Sequence, residues 1–136
     1  MQLIRDSGLM KTVLYFLMGV LSVSGADAKA DYAQLAKAIE VKELNTLMFA
    51  KYNDANLAKL AAFLKQHPKG PEREQVLYLR AYMIWSLHRY EKAPAAYAAL
   101  LKEFPKGKFI RIARIREAAA YLFSGQAAKA LPRLRA

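Results

Sequence analysis

The chain is 136 residues long, 55% hydrophobic and formally +11, with 22 Lys and Arg against 11 Asp and Glu. That length fits about one domain, and that apolar content fits a packed core rather than a disordered chain. There is no cysteine, which excludes disulfides, thiolate zinc sites, a Cys nucleophile and a lipid-modified N-terminal Cys.

Lys11 precedes an apolar run, Thr12 to Val23 (TVLYFLMGVLSV), and the small residues of SGADAKA follow it. A run of this length is too short to cross a bilayer core, which needs roughly 20 residues, but it suits the h-region of an export signal. The expectation is a signal peptide over residues 1–30, with Met10 as a second plausible start. Cleavage after Ala26, Ala28 or Ala30 satisfies the small-residue rule, Ala28 and Ala30 being favoured; an uncleaved inner-membrane anchor is the alternative. A cysteine-free exported chain fits the Gram-negative periplasm. Residues 31–136 keep 19 bases and 9 acids, so the cationic character belongs to the folded part.

From Asp31 onward Ala, Leu, Lys and Glu dominate and no stretch alternates as a strand does, so the expected fold class is all-α. A first helix is predicted over 31–51, with Leu35, Ile39, Leu44, Leu47 and Met48 at near-helical spacing. Asp54 is the expected cap of a second helix, 55–67, which Pro68 ends by pushing His67 out of the α region. Lys69 suits the carboxyl-terminal dipole, and Gly70 can take the left-handed turn. Pro71 fits the first turn of a third helix, 71–87, with Glu72 and Glu74 where the dipole favours negative charge. A fourth helix is predicted over 90–104 and a fifth over 109–124, closed by Gly125, and a sixth starts at Gln126.

Two phrases repeat. Phe63 to Gly70 reads FLKQHPKG, and thirty-seven residues later Leu100 to Gly107 reads LLKEFPKG. A fixed period of this size points to a repeated structural unit. The stretch from Leu77 to Pro105 resembles the tetratricopeptide repeat, through Ala81 and Ala93 at its small positions, Tyr97 at its aromatic position and Pro105 at its end. The next copy matches with Ala118, Gly125, Ala130 and Leu134, and a faded earlier copy keeps Leu60, Phe63 and Pro68. Departures are Leu77 where the family prefers Trp, Leu44 and Asn56 at small positions, Arg80 for an aliphatic residue, and Pro94 and Pro132 just inside second helices. Each of those prolines either delays its helix or kinks it. The resemblance implies antiparallel helix pairs stacked as a short α-solenoid. The long period is similar to that of bacterial periplasmic repeat proteins of outer-membrane assembly, whose lipoprotein members need the Cys that this chain lacks.

For chemistry, His67 and His88 lack a nucleophile and an orienting acid at usable spacing, so a solvated or capping role is expected. No metal, cofactor or catalytic set is expected, and Glu72 and Glu74 read as dipole partners. Tyr78, Tyr82 and Trp85 share a helical face and, with Tyr97, form either core or a stripe that anchors a partner's peptide or helix. Lys102, Lys106, Lys108, Arg111, Arg114 and Arg116 cluster; Lys108, Arg111 and Arg114 are spaced by three, with Ile112, Ile115 and Ala119 expected to look inward. That basic face is either a solvating surface or a meeting point for anionic lipid or cell-wall polymer. No nucleic-acid motif accompanies it. The expected function is a non-enzymatic interaction scaffold of the cell envelope, with a cationic, peripherally associating module as the alternative. Leu131 and Leu134 sit in an incomplete last repeat, from which self-association through that end or low stability of the isolated chain is expected.

Overall fold

The computed structural model describes residues 25–39 and 51–135. The run from Thr12 to Val23 and the second half of the expected first helix, with Leu44, Leu47 and Met48, lie outside them. The described residues form α1 (Gly25–Ala38), α2 (Asp54–Gln66), α3 (Glu72–Ser86), α4 (Ala93–Glu103), α5 (Ile110–Phe123) and α6 (Ala127–Arg135), with no strand among them. The architecture is all-α. Each helix packs chiefly on the next one in the chain, and α1 also reaches α3. None of these helices is long and apolar enough to cross a membrane.

α1 begins at Gly25, so it runs through Ala28 and Ala30, the favoured processing positions, and Ala28 is buried. Tyr32, Leu35 and Ile39 carry its apolar stripe into the core. The Lys51 amide donates to the Ile39 carbonyl at 2.9 Å, which brings the two described segments together.

The cap of α2 is Asn53 rather than Asp54. Asn53 is extended, at φ −161° and ψ 168°, and its Oδ1 accepts from the Asn56 amide at 2.7 Å. Asp54 is drawn away because its carboxylate takes both arms of the Arg89 guanidinium, at 2.5 and 3.0 Å. Asn56 itself is buried yet fully engaged: its Nδ2 donates to the Lys51 carbonyl at 2.7 Å, and its Oδ1 accepts from Lys59 at 3.2 Å. A buried amide with both ends bonded avoids the desolvation cost of an orphaned one.

α4 starts at Ala93, three residues later than expected, because Pro94 occupies its first turn, where the missing N–H costs nothing. Pro132, by contrast, lies inside α6.

The two Pro-Lys-Gly turns use their glycines differently. Gly70 has φ +122°, a conformation that side-chain-bearing residues avoid. Gly107 has no such angle. A Cβ there would stand 2.0 Å from Glu74 Oε1, because the Glu74 side chain lies against the turn and accepts from the Phe109 amide at 3.3 Å. Glu74 is therefore more than a dipole partner: it ties the start of α3 to the entry of α5. Its neighbour Arg73 does the same on both sides, donating to the carbonyls of Leu64 (2.7 Å) and His67 (3.0 Å) and pairing with Glu103.

The period of thirty-seven residues is visible in burial. Ile39, Val76 and Ala113, each thirty-seven apart, are all 0% exposed. Asn56, Ala93 and Ala130 form a second such series, at 3%, 0% and 1%. The small side chains of Ala93 and Ala130 let paired helices approach closely. The fold is helical and repeat-like at these positions.

Candidate functional site

The aromatic residues of α3 meet rings of the neighbouring helices and turns in a belt of two clusters, one at Tyr78 and Tyr82 and one at Trp85. Tyr78 lies flat on Phe109, with ring centres 4.4 Å apart and planes 8° from parallel, and contacts Tyr97 at 6.4 Å. Tyr52 meets Tyr82 edge-on at 5.8 Å. Beyond them Trp85, Tyr90 and Phe123 form a triad with centroid separations of 5.0 to 5.4 Å. Stacked and edge-to-face pairs of this kind add to simple area burial.

Of the four aromatic candidates, Tyr78 and Tyr97 belong to the core, at 6% and 0% exposed. Tyr82 and Trp85 are half-buried. Burial pushes the Tyr78 and Tyr97 hydroxyls above the ordinary phenol range, against the opposing pull of the Arg116 charge. Both therefore stay neutral. Arg116 closes the belt from α5: its guanidinium lies 4.4 Å from the Tyr82 ring centre and 6.0 Å from that of Trp85, a cation–π arrangement.

Sequence spacing places Arg116 only in a basic cluster and does not single out Tyr90 or Phe123. The signal for Phe123 was present, since it follows Arg116 by two helical turns. Tyr90 had none, because it is brought in by the turn after α3. There His88 takes the left-handed region, at φ 59°, and its Nδ1 meets the Tyr90 hydroxyl at 2.7 Å. Phe123, Tyr90 and the turn from His88 to Lys92 line a shallow cleft of about 400 Å³. Phe123 is 65% exposed at its edge.

The basic face divides. Lys108 and Arg111 are exposed, with the Lys108 ammonium 4.9 Å from the Phe109 ring centre. Arg114 is half-buried, and its charge helps to offset the carboxylate of Glu117. Ile112 is half-buried as expected, but Ile115 faces outward at 47% exposed. α6 packs on α5 but leaves Ile115 outside the surface that it covers.

Glu117 itself is 2% exposed, with Arg133 Nε 3.4 Å from its Oε1. Burial raises its pKa above the usual carboxylate range, outweighing the opposing charges of Arg133 and Arg114.

His67 is not solvated. It caps α2 through its backbone amide, which donates to Phe63 at 2.8 Å, but its ring is buried, with Nε2 2.7 Å from Asp31 Oδ2 of α1. His88 is exposed. Among the described residues no three His, Asp or Glu side chains converge as metal ligands would.

No protein-family model matches the chain, and neither a curated protein nor a solved structure matches it. The class that stands on this chain's own geometry is an all-α, repeat-like helical domain with a basic, aromatic-edged surface.

Proposed function

We propose that this chain is a non-enzymatic scaffold of tetratricopeptide type, exported to the periplasm by its N-terminal segment, which holds a peptide or helix of another protein. The observation that carries this reading is the recurrence of buried positions at thirty-seven residues, Ile39, Val76 and Ala113 in one series and Asn56, Ala93 and Ala130 in the other. Repeated hairpins that bury one flank on each neighbour offer extended surfaces suited to recognition. The half-exposed rings of Tyr82 and Trp85 supply aromatic anchors on that surface. A photoreactive side chain at position 82 should capture a discrete protein in the native cell envelope, and the capture should fall away when Trp85 is changed to Ala. Envelope hydrolase activity in the purified chain would overturn the non-enzymatic reading.

The exposure of Lys108 and Arg111 favours a second reading, peripheral association with an anionic membrane or cell-wall polymer. Binding to envelope fractions that disappears at high salt and needs no protein partner would support it. Binding that persists after Lys108→Glu, Arg111→Glu and Arg114→Glu together would exclude this face.

A further inference from the structure

We propose that the open face formed by α5 and α6 is a docking groove for an acidic amphipathic helix of another protein. The inference rests on the repeat reading above and assigns the site and the chemistry of its partner.

In the copy formed by α3 and α4, Tyr78 and Tyr97 are buried because α5 lies on them, with Phe109 stacked on Tyr78 and Arg116 over Tyr82. Thirty-seven residues on, Ile115, Leu122 and Leu134 hold the positions of Tyr78, Trp85 and Tyr97. The hairpin beneath them is closed in the same way, with Ala118 and Ala130 at 2% and 1% exposed where Ala81 and Ala93 are both 0%. Its outer face, however, is bare: Ile115, Leu122 and Leu134 are 47%, 54% and 53% exposed, and Leu131 adds 58%. Single exposed aliphatic residues are ordinary, but four on one hairpin are not. The helix-receiving positions of the preceding copy are thus reproduced here in apolar form and left uncovered.

Charge selects the occupant. Between Ile110 and Arg135 the chain carries Arg111, Arg114, Arg116, Lys129, Arg133 and Arg135 against Glu117 alone, and Glu117 is buried. Arg116 lies over the Tyr82 ring and Arg133 beside Glu117, so the cations next to the apolar positions are Arg111, one turn before Ile115, and Arg135, adjacent to Leu134 in sequence. A second copy docking through this face would set arginines against arginines in a setting with no acid to separate them. A bilayer would meet the charge requirement, but the equivalent positions one copy earlier receive a helix. Glutamates flanking an apolar stripe would satisfy both the shape and the charge.

The test uses the full chain and a synthetic peptide copying residues 109–124, the segment that covers the preceding copy, with Arg111→Glu, Arg114→Glu and Arg116→Glu. Its binding is followed by fluorescence anisotropy, with the unaltered peptide as the charge control. The acidic peptide should bind about tenfold more tightly than the basic one. Leu122→Asp with Leu134→Asp should weaken it by about tenfold while the helical circular dichroism stays unchanged. Arg111→Gln with Arg135→Gln should weaken it and flatten its salt dependence. Equal binding by the Leu122→Asp, Leu134→Asp chain, with crosslinking at Tyr82 or Trp85 instead, would overturn the groove and leave the scaffold reading standing. Failure to bind the acidic peptide would overturn the groove, whereas the scaffold reading falls only if position 82 captures no protein. Two further results would overturn the proposal: cosedimentation with phosphatidylglycerol vesicles through Leu122 and Leu134 without peptide binding, or a dimer in sedimentation velocity that the Asp variants abolish.

Discussion

At Gly107 the constraint is room, and at Gly70 it is backbone angle, so the same Pro-Lys-Gly phrase should answer differently to the same substitution. Gly107→Ala forces the Glu74 carboxylate away from the Phe109 amide and is expected to cost about 1–2 kcal/mol in urea denaturation. Adding Glu74→Ala should recover most of the clash, so the double-mutant cycle should show clear coupling; strictly additive losses would count against this arrangement. Gly70→Ala should cost about 1 kcal/mol with no rescue at Glu72, because φ +122° is disfavoured for any side chain. Glu117 gives a pH-dependent counterpart. Its folded pKa lies above its unfolded value, so the folded state holds a proton more firmly than the unfolded one and loses stability as pH rises through that interval. Glu117→Gln should therefore raise the Tm at pH 7, and the gain should shrink toward zero below the ordinary glutamate pKa of about 4.3. A Tm lowered at neutral pH would mean that the Arg133 pairing outweighs burial.

At the scale of the helices, a few polar side chains decide which element docks where. Asp31 joins α1 to the buried ring of His67, and Arg73 gathers the end of α2 and the end of α4 at the start of α3. Asp31→Ala leaves a buried imidazole without that partner, at a cost of about 1–3 kcal/mol. The loss should be local: amide hydrogen exchange in α1 should accelerate while the amides of α4 and α5 keep their protection. Uniform acceleration across all the helices would show that α1 is part of the global folding unit. Arg73 offers its whole planar fork, so a lysine, with a single rotating ammonium, cannot hold two carbonyls and a carboxylate at once.

For the molecule as a whole, position within the series of helices matters as much as residue type. Tyr97 and Leu134 hold equivalent places one period apart, yet the first is 0% exposed and the second 53%. Tyr97→Ala removes a ring packed between α3 and α5 and should cost about 3–5 kcal/mol. Leu134→Ala should change stability by no more than about 0.5 kcal/mol. A similar loss at both positions by thermal or urea unfolding would show that the last hairpin is covered in solution.

Much of this was legible from residue order. The helices from α2 to α6 follow from helix-forming composition, from prolines that end or start them and from the repeated Pro-Lys-Gly turns, because these act within a turn or two of chain. The all-α class and the shared face of Tyr78, Tyr82 and Trp85 were set by the same short-range rules. Other features were decided only when distant segments met: Asn53 instead of Asp54 as the cap of α2, because Arg89 claims the aspartate from thirty-five residues away; the pairing of the buried His67 ring with Asp31; the service of Glu74 to a turn in the next copy. Helical periodicity names the residues that share a face. Which face is covered, and by what, depends on neighbours whose approach is fixed by packing, and so Ile115, expected to point inward, stands in the open while Tyr97 does not.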